Sequence, residues 1–267
     1  GWFQTFVCFV ILVYYGAVLA WGVQYTIYSV NAAWGDDPTT FFTDTFLQVV
    51  PGDTFSWAPA WSVMIPLALV WVLVLFVIGR GLSKGVEAAN KVFLPLLVIL
   101  FLALVVRALF LPGAVEGLNA FFTPNWSALS DPKVWLAAFA QIFYSLSVGF
   151  GIMLTYASYL QRKSNLTGTA LVAGFANSSF EILAGIGVFS AVGFMAHQGG
   201  VSVSEVEGLT GPILSFVTFP KIISMMPGGP IFGVLFFSSL VLAGVTSLLS
   251  LLQVVSGGLQ DKFGWSP

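Results

Sequence analysis

Six stretches of this chain are apolar over lengths that a soluble core has no use for, which leaves a lipid bilayer as the only solvent for them. They cover residues 3–29, 60–78, 92–111, 135–160, 169–196 and 231–256. Each is long enough to cross about 30 Å of hydrocarbon as an α-helix. With 58% hydrophobic and 7% charged residues, the chain is excluded from the soluble classes. The expected fold is an all-α integral membrane protein with six transmembrane helices. The fourth stretch breaks the rule that the others obey. SLSVGFG, residues 145–151, sets Gly149 and Gly151 beside Ser145 and Ser147 at mid-bilayer depth. Lipid cannot pair the amides and carbonyls that such a sequence frees, so irregular backbone there must be buried in protein or line a cavity. The sequence therefore predicts a discontinuous fourth span and, with it, a solute site of the kind transporters build.

Charge is sorted along the chain rather than balanced over a surface. Arg80, Lys84, Lys91, Arg162, Lys163 and Lys262 fall in the connections on one side. The other side carries Asp36, Asp37, Asp44, Asp53, Glu116, Asp131, Glu205 and Glu207 against Lys133, Lys221 and Arg107. The basic side is expected to be cytoplasmic, so the first helix runs from inside to outside. Trp2, Trp21, Trp34, Trp57, Trp61, Trp126 and Trp135 fall near predicted helix ends and read as interfacial anchors. Residues 197–230 are too apolar in their second half for a solvated linker and too short to span; a re-entrant or lid-like hairpin on the outer side is expected. Cys8 has no cysteine partner, which excludes a disulfide or cysteine metal site. It reads as a small buried hydrophobe. His197, the lone histidine, reads as surface or interfacial. The chain opens at Gly1 directly in an apolar run and ends, over 261–267, in what reads as a short polar loop, so truncation at both ends is expected.

Three segments carry a recognisable pattern: FYSLSVGFGIMLTYASYLQRKSN in the fourth span, FANSSFEILAGIGVFS in the fifth and LAGVTSLLSLLQ in the sixth. Together with VYYGAVLAW, GRGLSKGVEAANK and LPGAVEGLNAFFTPNW, they resemble the neurotransmitter:sodium symporter family in its bacterial, leucine-transporter-like branch, which transports amino acids. The resemblance runs over the whole chain. It implies a place within a five-plus-five inverted-repeat bundle, as family helices three to eight. The first two helices, one of them the other broken helix, and everything after the eighth would be absent. It follows that the 267-residue piece alone is expected not to transport.

The site residues follow from that resemblance joined to their chemistry. A sodium ion in a membrane needs several oxygen ligands with little excess charge. Ser145 and Asn177 match ligands of the family's first sodium site, and Ala243, Thr246 and Ser247 match the second site's share from helix eight. Read alone, Thr246 and Ser247 fit better as hydroxyls bonded back to the preceding helical turn; the resemblance is what favours sodium. Glu181, four residues after Asn177 and so on the same helical face, is the only acidic residue deep in a predicted span. Chloride-dependent relatives resemble it with a serine here, so Glu181, with Gln141 and Ser145 nearby, is expected to supply the negative charge itself. Transport would then need no chloride, and proton counter-movement becomes feasible.

Tyr15 resembles the tyrosine that meets the substrate carboxylate, and Ile11, Tyr144, Ser147, Phe150, Ser247 and Leu251 resemble the rest of the pocket. Tyr144 departs from the phenylalanine of the leucine-transporting type, which leaves the preferred side chain open. Tyr159 and Asp261 resemble the inner gate, although the arginine partner of that gate is missing; Asp261 fits equally well as a solvated loop charge. Sodium is the co-transported ion, no organic cofactor is implied, and the expected partners are a small-molecule amino acid and the bilayer. The resemblance leaves open an amine or other small solute as substrate. The residues alone also allow a six-helix channel or scaffold. An intramembrane serine hydrolase is disfavoured, since no base sits at the depth of the serines.

Overall fold

The computed structural model of the protein describes residues 1–49, 58–80, 82–161, 163–206, 208–209 and 211–265. Asp53, Trp57, Arg162 and Glu207 lie outside the described residues. Among those described there is no strand; five helices are long and apolar enough to cross a membrane. These are α1 (Trp2–Tyr28), α2 (Trp61–Gly79), α3 (Ala88–Leu109), α7 (Leu166–Gly199) and α9 (Gly229–Phe263). Between them lie α4 (Ala114–Phe122), the half-helices α5 (Pro132–Ser145) and α6 (Ile152–Ser158), and the short α8 (Phe219–Met225).

Local chemistry fixes several of the starts. Asp131 accepts the Lys133 amide at 2.9 Å while Pro132, with no amide to leave unpaired, opens α5. Asn165 caps α7 by accepting the Gly168 amide at 2.9 Å. The ends are harder to read from hydropathy. α9 continues through Asp261 and Lys262 to Phe263 and stops at Gly264 with φ +66°. Asp261 is therefore in the last turn of a helix rather than in a polar loop, because a helical ladder does not end where the apolar residues do. α3 likewise occupies Ala88–Leu109 rather than 92–111, preceded by a π-helical turn at Leu82–Glu87.

α1 packs along α9 and against α2, while α3 bridges α9 and α7 and α4 lies on α7. Two cores result. An aliphatic one joins Leu12, Val74, Val245, Leu248 and Leu249 across α1, α2 and α9. An aromatic one gathers Tyr25, Phe46, Phe216 and Phe237 around the end of α1. Among the described residues of 197–230, Phe216, Phe219, Ile222 and Ile223 are buried, so the apolar half of the outer segment is built into the aromatic core.

Trp34 is 2% exposed, stacks on Tyr25 with centroids 5.8 Å apart and donates its indole N–H to Ser224 Oγ at 2.8 Å. Trp21 packs edge-on against Phe42 and Phe216. Both belong to this core rather than to an interfacial belt. Their position near a predicted helix end gave the right height but not the direction of the ring. Nearby, the Thr40 hydroxyl and amide hold the exposed Asp37 carboxyl below the usual carboxylate range, as befits the cap of the short helix Pro38–Thr40.

Candidate functional site

The fourth span is two half-helices with an opening between them. α5 ends at Ser145 and α6 begins at Ile152; Ser147, Gly149 and Gly151 all have positive φ, +52°, +81° and +80°. Gly149 and Gly151 adopt that conformation at no steric cost, which side chains with a Cβ cannot. The amides of Leu146, Ser147 and Val148 turn back to carbonyls of α5, and the Phe150 amide reaches only Ser147. The carbonyls of Leu146, Val148 and Gly149 accept no hydrogen bond among the described residues. The Phe150 carbonyl accepts the Cys8 thiol at 3.0 Å, which ties the opening to α1. Cys8 is fully buried, as its sequence position implied.

A cavity of about 610 Å³ lies against this opening, walled by α1, α3, α5, α6, α7 and α9. All seven residues expected at the substrate pocket line it: Ile11 and Tyr15 from α1, Tyr144 from α5, Ser147 and Phe150 from the opening, Ser247 and Leu251 from α9. Tyr144 and Phe150 meet edge to face, with centroids 6.0 Å apart. Tyr15 and Tyr144 also border a second, outer cavity of about 310 Å³ that reaches Pro212 and Phe216, so these two rings stand in the wall between the chambers.

Two groups of polar oxygens meet the central cavity. In the first, Asn177 Nδ2 donates to Ser145 Oγ at 2.7 Å and the Ser145 hydroxyl donates in turn to Glu181 Oε1. Asn177 and Glu181 stand one turn apart on α7, and their shared partner is the last residue of α5, so this relay joins the outer half of the broken helix to its neighbour. Gln141 does not join it. It is exposed and makes no hydrogen bond among the described residues.

In the second group, the Thr246 and Ser247 hydroxyls both donate to the Ala243 carbonyl, at 2.8 and 3.2 Å. The back-bonded arrangement is thus the one adopted here. It leaves the lone pairs of both hydroxyl oxygens unspent, beside the cavity that both residues line.

At the inner end, Tyr159 and Asp261 border one cavity of about 540 Å³ between the start of α1 and the end of α9. The Tyr159 hydroxyl accepts Gln253 Nε2 at 3.2 Å. At the outer end His197 Nδ1 lies 3.5 Å from Glu116 Oε1, both about half exposed. No group of three metal-ligating His, Cys, Asp or Glu side chains occurs among the described residues.

Sequence reasoning missed part of the wall. Asn90 and Leu94 of α3 and the small residues Ala170, Ala173 and Gly174 of α7 line the cavity too. The i, i+3, i+4 spacing of those small residues was the available signal, since such stripes mark close approach or an opening between helices.

Residues 35–266 match the family described as the sodium:neurotransmitter symporter family. Over its whole length the chain is 39% identical to an uncharacterized sodium-dependent transporter of Methanocaldococcus jannaschii, of which it covers 54%. It is 34% identical over 83% of its length to the bovine sodium- and chloride-dependent creatine transporter 1, covering 34% of that protein. A sodium- and chloride-dependent glycine transporter 2 of Xenopus laevis is 30% identical over 84% of the chain, which covers 28% of it. The chain thus spans about half or less of each of these relatives.

Proposed function

This chain belongs to the sodium:neurotransmitter symporter family, and we propose that it forms the core of a symporter that draws a neutral, hydrophobic amino acid across the cell membrane with sodium. Members of that family are multi-pass membrane transporters rather than enzymes, and the chain is an integral protein of the cell membrane. The observation that carries the reading is the opening at 146–151, with bare carbonyls and two clusters of hydroxyl and amide oxygens around one cavity. Several neutral oxygens with little excess charge suit an alkali cation, and a zwitterion brings both of its own charges to the pocket.

In this reading Ser145 and Asn177 hold one sodium ion, and Ala243, Thr246 and Ser247 contribute to a second. Tyr15 receives the substrate carboxylate; Ile11, Tyr144, Ser147, Phe150 and Leu251 enclose its side chain. Tyr159 and Asp261 belong to the inner gate. Glycine and creatine, named for two of the relatives, both carry a carboxylate, which favours an amino acid over an amine. Glu181 stands in for chloride, through the Ser145 hydroxyl that donates to it.

Uptake of labelled amino acids by the full-length protein in liposomes tests this directly. An inward sodium gradient drives accumulation where an equal potassium gradient does not; equal uptake under both, or a conductance that needs no gradient, overturns the proposal. In the same assay chloride is dispensable. Glu181→Ser makes it necessary, lowering uptake in chloride-free medium on the order of tenfold or more, as expected when a buried charge loses its counter-charge. A chloride requirement in the unaltered protein contradicts the role given to Glu181.

A further inference from the structure

The inner half of the broken helix is tied to α9 by two hydrogen bonds in one register. The Tyr156 hydroxyl donates to Ser250 Oγ at 2.9 Å, and three residues further on Gln253 donates to the Tyr159 hydroxyl at 3.2 Å. The spacing is the same on both helices, so the two bonds join one face of α6 and its C-terminal turn to one face of α9. The Tyr156 bond continues toward the central cavity. Ser250 Oγ donates to the Thr246 carbonyl at 3.1 Å, and the Thr246 hydroxyl donates to the Ala243 carbonyl at 2.8 Å. A run of hydrogen bonds therefore leads from the inner half-helix to the two residues that begin the α9 oxygen cluster.

We propose that Tyr156 is a coupling residue: through Ser250 it transmits the occupancy of the α9 cation cluster to α6. The proposal rests on the sodium reading of Ala243, Thr246 and Ser247. Its physical basis is geometric. With its own proton committed to the Thr246 carbonyl, Ser250 Oγ is left as a fixed acceptor, and among the described residues Tyr156 is the one side chain that donates to it. A cation drawn to Ala243, Thr246 and Ser247 adjusts that turn of α9, and with it the Thr246 carbonyl and the Ser250 hydroxyl. Hydrogen bonds in series polarise one another, so the Tyr156 bond strengthens or weakens with the cluster. α6 has only seven helical residues, and α9 is the long helix it packs on, so one bond is a large share of what holds it.

Equilibrium binding of radiolabelled sodium to the purified full-length protein tests the coupling without knowledge of the organic substrate. Tyr156→Phe and Ser250→Ala each raise half-saturating sodium about fivefold, the equivalent of one ordinary hydrogen bond. The double variant goes no further than either single one, as partners in one bond require. Ser250→Thr, which keeps the hydroxyl, restores the unaltered value, and Tyr159→Phe, one turn farther from the cluster, shifts it less. A change only in the amount of binding-competent protein, an unchanged sodium affinity, or additive effects in the double variant overturns the coupling role. If the unaltered protein binds no sodium, the sodium reading itself falls, and the coupling role with it.

Discussion

Ser145 does one job that its position announces and one that it does not. A hydroxyl inside an apolar run, shortly before a Gly-x-Gly, marks the end of a half-helix, and α5 ends there. Its second task, accepting from Asn177 while donating to Glu181, depends on how α5 meets α7 and could be inferred only through resemblance. Gln141, one turn earlier and set beside Glu181 by the same resemblance, makes no hydrogen bond to it among the described residues. Trp34 teaches the same lesson, since a ring at a helix end can face lipid headgroups or a core, and tertiary packing alone decides.

A residue that no reading of sequence would single out is Tyr25, fully buried among rings with a hydroxyl that has no hydrogen-bond partner among the described residues. An unpaired buried hydroxyl costs about 1–3 kcal/mol. Tyr25→Phe removes the liability and keeps the ring, so it raises the thermal midpoint in detergent; a lowered midpoint shows that the hydroxyl has a partner after all.

At the scale of elements, the opening of the fourth span is the most legible feature of the chain, because two glycines at mid-membrane depth have few other uses. Its conformation makes a sharp demand on sequence. Gly151 has φ +80° at the start of α6, and a Cβ there meets nothing closer than 3.5 Å. Space is therefore not the obstacle; backbone handedness is. Gly151→Ala destabilises the fold by about 1–2 kcal/mol, read as a lowered melting temperature. An unchanged melting temperature contradicts a left-handed residue at this point.

What hydropathy does not report is where ladders end. α9 runs on through Gln260, Asp261 and Lys262, where Gln260 and Lys262 are good helix formers and the Lys262 charge suits the last turn before Gly264. The outer segment posed the opposite problem. Its apolar half signalled burial, but not that it would enter an aromatic core with the end of α1.

For the whole molecule, the helices α1, α2, α3, α7 and α9 form a packed frame, whereas α5 touches little of it. Phe139 on α5 and Phe175 on α7 are 67% and 72% exposed, part of a broad apolar face beside the opening. The opening joins α5 to α6 and faces the walls that α1, α7 and α9 supply to the central cavity. Composition and periodicity alone established the membrane class, and the glycine pair established the break. The cavity, which needs walls from six helices at once, was legible only through resemblance.

Amide hydrogen exchange of residues 146–151 in the full-length protein reads the opening itself. It is followed without ligand, with sodium alone, and with sodium plus a mixture of the standard amino acids. Exchange is rapid without ligand, far faster than in the cores of α7 and α9, and is markedly slowed once sodium and amino acid are both present. Protection equal to that of the flanking helices from the outset, unmoved by either addition, would show a closed ladder with no site beside it.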